Sequence, residues 1–385
     1  MDRITIKNVV FISNYFNHHQ KPFSDEMYRI LGDGYKFLEV GKMGDFRKEL
    51  GYKEEYLPYV YPCTIVSNNL SKFIKLVNEA DVVIIGSTVE ELIKERRKQK
   101  RLIFRYSERP LKNGNEPLKY IPRLIKWKKQ NPARYPIYML CASAYTASDY
   151  AKFGLFKNKC YKWGYFTELK TYDDLEQLID GKIPGSLIWV GRFIEWKHPE
   201  IPIKIAKALK DEGYSFQLSM IGNGPLLDAA KELASRLELE NEVRFLGAMS
   251  NDEVRKNMEK SEIFLFTSNK KEGWGAVLNE AMNSACVPVA SVSIGSAPYL
   301  ISDNQNGLIW QEERSLDELL SKVKLLLDNR EKRKIIAKNA YNTIIGKWNG
   351  KEAAKRLLEL SVSLINKEDE PLYDGGPCAK EGKKK

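Results

Sequence analysis

Two carboxylates, Glu272 and Glu280, frame the stretch richest in residue types that can do chemistry, with Gly273-Trp274-Gly275 between them. Glu280, near the start of a helix, could accept two vicinal hydroxyls of a ribose, while Gly273 and Gly275 let backbone N–H groups approach an anion. Glu272, on the loop before that helix, could meet a sugar hydroxyl. Taken alone, the pair also reads as a first-turn charge set against the helix dipole and a solvated loop residue. Gly191-Arg192 and Lys197 supply complementary chemistry. An arginine fork and a lysine point charge at one strand end can clamp a diphosphate. By themselves they are equally a strand-end glycine followed by surface cations. Gly222-Asn223-Gly224-Pro225 adds a glycine turn between a strand and a helix, a weak signal on its own. The features gain weight together because all fall at successive strand ends of one sheet.

The elements that must position these residues alternate between short apolar runs and helical stretches. In the first half the strands are Asn8 to Ser13, Asp81 to Gly86 and Leu102 to Tyr106, and Pro22 heads a helix over Lys21 to Leu31. The loop after the first strand carries His18 and His19, and the last of these strands leads into Ser107-Glu108. The pattern restarts at Leu187 to Val190 and runs through Gln217 to Ile221 and Val243 to Leu246 into the unit at 263–291. Two successive α/β patterns imply two similar domains, residues 1–166 and 187–344, joined by a polar linker at 167–186. A break around Trp348 sets residues 345–366 apart as a separate helix, and the charged tail 367–385 is expected to be disordered.

At 385 residues and 43% hydrophobic content, the chain can bury two substantial cores. Five scattered cysteines without a Cys-x-x-Cys point to free, mostly buried thiols in a reducing compartment. No basic-then-apolar leader opens the chain, and no apolar run reaches the ~20 residues of a membrane span, so a cytoplasmic location is expected. The net charge of +11 favours anionic partners: nucleotides, nucleic acid or a membrane surface.

In order along the chain, five motifs resemble the C-terminal domain of family-4 glycosyltransferases, the group 1 glycosyl transferases. They are Gly191-Arg192 with Lys197, Gly222-Asn223-Gly224-Pro225, Phe245-Leu246-Gly247, Glu272-Gly273-Trp274-Gly275 with Glu280-Ala281-Met282, and Gly295-Ser296-Ala297-Pro298. The resemblance covers about residues 186–310 and extends more loosely to the two-domain plan. It implies the GT-B fold, an α/β architecture of two Rossmann-like domains facing across a cleft, with a final helix crossing back to the first. It implies transfer of a hexose from a nucleotide diphosphate sugar with retention of configuration, and no required metal or other cofactor; the chain has no Asp-x-Asp. Carried over residue by residue, Arg192 and Lys197 hold the donor diphosphate beside the Gly191, Gly222 and Gly224 turns, Glu280 the ribose and Glu272 the sugar. Gly273, Trp274 and Gly275 line the donor, and the backbone near Leu246 meets the base. The N-terminal half departs from the commoner pattern. No glycine pair follows the first strand, and Ser107-Glu108 stands where many relatives place His-Asp or His-Glu. The loop Asn14 to Pro22 resembles a subset found among bacterial cell-surface polysaccharide enzymes, which implies acceptor contact by His18 or His19, with Glu108 a further candidate.

Lys119 to Arg134 holds six cations and no acid. Ile121, Leu124, Ile125 and Lys128 share a helical face with Trp127 beside the cations, as an interfacial helix at the inner membrane surface needs. A solvated face with its apolar side in the core fits equally. Lys94 to Arg101 adds a second basic run. The partners expected are a nucleotide-sugar donor and a glycan or lipid-linked acceptor, with the membrane peripheral. Two other readings are a nucleotide-sugar epimerase or hydrolase of the same fold, and a basic nucleic-acid-binding protein. The second is disfavoured because no base-stacking or helix-turn-helix motif is present.

Overall fold

Runs of Val, Ile, Leu and Phe become strands buried on both faces, as parallel sheets covered by helices require. The computed structural model describes residues 4–44, 57–87, 90–114, 117–311 and 316–382, the side chains of 117–119 excepted. The chain divides into two units, Met1–Glu168 with Trp348–Lys385, and Leu169–Lys347.

The first unit holds β1 (Val9–Ser13), β2 (Tyr35–Glu39), β3 (Val60–Tyr61), β4 (Val82–Ile85), β5 (Ile103–Ser107), β6 (Ile137–Cys141) and β7 (Cys160–Lys162). They form one parallel sheet in the order β3-β2-β1-β4-β5-β6-β7. The second unit holds β8 (Ser186–Val190), β9 (Gln217–Ile221), β10 (Val243–Gly247), β11 (Ile263–Phe266), β12 (Val287–Ser291) and β13 (Leu308–Trp310). Its sheet is also parallel, in the order β10-β9-β8-β11-β12-β13. Each sheet reverses its winding beside its first strand, between β1 and β4 and between β8 and β11. In open α/β sheets ligands bind outside the carboxyl ends of the strands at such a reversal.

One core fills the second unit around Trp189, Phe193, Leu218, Leu265 and Trp310, and another lies under the first sheet around Val10, Phe73, Ile103 and Phe153. Four cysteines are buried and Cys63 is half-buried, all as free thiols. Among the described residues no helix is long and apolar enough to cross a membrane.

After Trp348, itself buried, Asn349 caps the helix Gly350–Asn366 by accepting from Glu352 N at 2.9 Å. That helix packs within the first unit on the helix Lys21–Leu31 so closely that a Cβ on Gly350 would stand 2.5 Å from the Pro22 carbonyl carbon.

Two expectations need correction. The stretch 167–186 is not a free linker: it holds the helix Leu175–Asp180, capped by Asp174, and Ile179 enters the core of the second unit. The buried ammonium of Lys182 donates to Met258 O, Glu259 O and Ser284 O at 2.9–3.0 Å, capping the ends of two helices. Nor is the tail disordered as far as residue 382. Cys378 N donates to Lys162 O and Lys162 N to Ala379 O, both at 2.8 Å, so the tail covers the edge of β7. Burial of Cys378 and the Arg356 guanidinium over the Tyr373 ring at 4.4 Å supply what charge composition did not reveal. The terminal lysines 383–385 lie outside the described residues.

Candidate functional site

The reversal in the second sheet sets the loop after β8 beside the loop after β11. The first holds Gly191, Arg192 and a short 3-10 turn over Glu195–Lys197; the second holds Glu272 to Gly275. Gly191 N donates to Ile221 O at 3.0 Å and Phe193 N to Asn223 O at 2.9 Å, so the β8 loop lies against the Gly222-Asn223-Gly224 turn. A Cβ on Gly222, at φ +139°, would stand 1.8 Å from Gly191 O, and one on Gly224 2.6 Å from Phe193 O. Gly222 N donates to Gly247 O at 2.8 Å and Gly224 N to Asn223 Oδ1 at 2.7 Å. These glycines thus serve first the close approach of two loops, which seats Arg192 at the strand end. Leu246 is half-buried beside the same turn, where the β10 register shifts.

The two loops are tied at several points. Thr267 Oγ1 accepts from Trp189 Nε1 at 3.0 Å and donates to Lys197 O at 2.8 Å. Asn269 N donates to Trp196 O at 2.9 Å. The Lys197 ammonium forms an ion pair with Glu272 and lies over the Phe266 ring at 5.6 Å. Gly275 makes room for this: at φ +83° its Cβ would come within 2.5 Å of Phe266 Cζ and 3.3 Å of Glu272 Cγ. An anion brought to Lys197 would therefore meet the charge of Glu272.

Trp274 departs from its expected role, since its side chain is buried and its indole N–H donates to Asn279 Oδ1 at 2.9 Å. The ring thus anchors the loop from inside. Glu280 stands in the first turn of the helix Val277–Asn283, half-buried. Desolvation pushes its carboxyl up to about 7, against the opposing pull of Arg255. Arg255, itself buried, donates to Asn283 Oδ1 at 2.7 Å and Ser284 Oγ at 2.9 Å.

A testable consequence concerns stability. A carboxyl whose pKa is about 7 folded and 4.5 ordinarily binds more protons in the native state between those values, so its contribution to stability falls as pH rises through that window. Glu280→Gln should remove that fall. The variant's thermal midpoint is expected to exceed the parent's at pH 8, with a ceiling of about 3 kcal/mol, and to converge with it near pH 4. Melting curves across pH check this.

In the first unit, the residues expected to meet an acceptor come together through one that sequence reasoning missed. The His18 and His19 rings are 3.8 Å apart, and His19 stacks on Tyr165 at 5.6 Å with 8° between planes. Tyr165 donates its hydroxyl to Glu108 Oε1 at 2.6 Å, and Lys112 donates to Glu108 Oε2 at 2.9 Å. Burial holds the Tyr165 and Tyr106 phenols well above their ordinary range, so both stay protonated. Tyr165 lies between buried Trp163 and Phe166 in a segment without regular structure, which hid its role from periodicity.

The helix Pro117–Gln130 carries the basic stretch. Leu124 does not share the outward face of Ile121 and Ile125, because a 3.6-residue turn puts it with Tyr120 and Trp127 against Phe153 and Tyr150. Ile121 and Ile125 are 64% and 63% exposed beside exposed Lys126, Lys128 and Lys129. The side chain of Lys119 lies outside the described residues. In the second basic run, 94–101, Arg96 serves the fold: it is fully buried and donates to Val77 O, Ala80 O, Asp81 O and Leu102 O, while Lys94, Lys98 and Lys100 are exposed.

Residues 181–343 match the family Glycosyl transferases group 1. The resemblance carried by the strand-end motifs therefore holds for this part of the chain. An uncharacterized glycosyltransferase of Methanocaldococcus jannaschii is 30% identical over 182 residues, 47% of this chain and 46% of the relative. The amylovoran biosynthesis glycosyltransferase AmsK of Erwinia amylovora is 30% identical over 149 residues, 37% of this chain and 35% of the relative. The chain thus spans less than half the length of these curated relatives. In fold the likeness is wider. Anabaena HepE, crystallised with UDP, matches with a TM-score of 0.67 at 16% identity over 91% of this chain and 98% of that one. At that identity it speaks for fold alone, and the fold is GT-B, with a Rossmann-like parallel sheet in each unit.

Proposed function

We propose that this chain is a retaining glycosyltransferase that moves a hexose from a nucleotide diphosphate sugar to a glycan or lipid-linked acceptor in cell-surface polysaccharide synthesis. The observation that carries the reading is the meeting of Lys197 and Glu272 at the β8/β11 reversal, with Arg192 on the same loop as Lys197 and Glu280 in the helix that follows Glu272. A donor laid there would place its diphosphate against Arg192 and Lys197, its ribose on Glu280 and its sugar at Glu272, with the base near Leu246. As the bond from the sugar to the diphosphate breaks, negative charge grows on the leaving phosphate. In this reading the two cations would stabilise that charge without a metal. The acceptor would be met in the first unit by His18, His19 or Glu108.

The test is release of nucleoside diphosphate from a panel of UDP- and GDP-sugars in EDTA, with and without a lipid-linked sugar. Release that needs the acceptor, with the anomeric configuration of the donor kept in the product by NMR, is the expected result. Free sugar or an epimer formed without acceptor favours the hydrolase or epimerase reading, and steep salt-dependent binding to oligonucleotides favours the nucleic-acid one.

We place the enzyme in the cytoplasm, peripheral to the inner face of the membrane. The exposed pair Ile121 and Ile125 among lysines supports this, since apolar side chains flanked by cations suit an anionic lipid surface. Replacing Lys126, Lys128 and Lys129 together by Gln should weaken vesicle binding by about 3 kcal/mol, about 1 kcal/mol per charge near the surface, with nucleotide affinity unchanged. Flotation with phosphatidylglycerol vesicles decides it, and binding equal in parent and variant would leave the helix as a solvated face.

A further inference from the structure

His198 follows Lys197 directly and holds left-handed backbone, φ 50° and ψ 57°, a conformation that residues with a β-carbon adopt seldom. Its ring has two near neighbours, one on each side. Nδ1 stands 3.0 Å from Glu200 Oε1, and Nε2 stands 3.1 Å from Asn269 Nδ2. A carboxylate oxygen accepts, so Nδ1 carries the proton; an amide nitrogen donates, so Nε2 presents its lone pair. The amide cannot turn over without loss, because Asn269 Oδ1 already accepts from Lys271 N at 3.0 Å. The backbone of Asn269 completes the joint: its N–H donates to Trp196 O at 2.9 Å, and its carbonyl accepts from Glu272 N at 3.0 Å. One side chain next to Lys197 thus grips the residue that sets the turn of Glu272.

We infer that His198 is a positioning residue whose neutral, Nδ1-protonated ring locks the loop of Lys197 to the loop of Glu272, fixing the distance between the diphosphate and sugar subsites. The inference rests on the donor-site reading above. His198 itself touches neither ligand group in this scheme. Strained backbone kept at a functional loop is sustained by such specific bonds, and the bonds to Glu200 and Asn269 run through the ring.

Four variants test it: His198→Gly, His198→Gln, Asn269→Ala and the double variant His198→Gly with Asn269→Ala. Glycine relieves the backbone strain, so the thermal midpoint of His198→Gly is expected to equal or exceed that of the parent. Its kcat with the nucleotide sugar should nevertheless fall about tenfold, while affinity for bare UDP or GDP changes less than about twofold, because a fixed separation matters when both subsites are engaged. His198→Gln, whose Oε1 can still accept from Asn269, should recover most of the turnover. The double variant should lose no more than either single one, as partners in one contact do. Parent-like kcat in His198→Gly, no recovery in His198→Gln, or additive losses would overturn the inference. If the parent turns over neither UDP- nor GDP-sugars, the donor-site reading fails instead. The lock is then decided by NMR of the intact protein. A protonated Nδ1, an unprotonated Nε2 and an exchange-protected Asn269 side-chain amide support it, and the opposite tautomer or a freely exchanging amide refutes it.

Discussion

Lys197→Ala and Arg192→Ala are each expected to lower turnover of the nucleotide sugar by about 100-fold, the usual effect of deleting one preorganised stabiliser of a charge that develops in the transition state. The expectation follows from where the loop is pinned. Thr267 holds the Lys197 carbonyl, and the β9 turn presses on Gly191, so the backbone that carries both cations is already pinned. Because the charge appears on the leaving group, the loss should fall on kcat as well as on kcat/KM. Steady-state kinetics of both variants in EDTA are the check. Undiminished turnover in the two variants, or full dependence of the parent on an added divalent ion, would remove the diphosphate assignment.

The second large effect separates the two glutamates. Glu280, accepting both ribose hydroxyls, contacts a part of the donor that barely changes as the bond breaks. Glu280→Ala should then raise KM and loosen the bare nucleoside diphosphate by about 2 kcal/mol, the order of a lost charged hydrogen bond. Glu272 behaves otherwise because it is paired with Lys197. Its removal takes no contact from the nucleoside diphosphate and frees the lysine charge for it, so Glu272→Ala should hold nucleotide affinity at or above the parent's while kcat falls through the lost sugar contact. Calorimetry with UDP and GDP, run beside kinetics, reads both quantities. Equal loss of nucleotide affinity in the two variants would mean that the pair does not divide the donor in this way, and would return Glu280 to the role of a helix-start charge.

The sequence shows where the two sheets lie because their strands, buried on both faces, read as near-continuous apolar runs, and Gln217–Ile221 and the helix Lys21–Leu31 coincide with their expected limits. The candidate site is legible for the same reason, since Phe245-Leu246-Gly247 ends such a run and the other motifs follow one. What stayed hidden depends on contacts distant in sequence. Trp274 looks like a ligand-facing aromatic until Asn279 is seen to take its N–H inside the unit. Arg96 sits in a basic run, yet its guanidinium serves four carbonyls from two other segments. The tail is charged enough to suggest disorder, but Lys380 pairs with Glu370 at 2.5 Å, and pairing with β7 fixes the rest. His198 and Tyr165 lie in loops where no periodicity operates, and only their partners reveal them.

Residues from the β8 and β11 loops are expected to bind a nucleoside diphosphate group. Calorimetric titration of the parent protein with UDP and with GDP in EDTA, repeated on Lys197→Ala, decides whether they do. One-to-one binding of at least one nucleotide without added metal, weakened at least about tenfold by the substitution, is the predicted result. Binding of neither nucleotide, or binding that Lys197→Ala leaves unchanged, would contradict it.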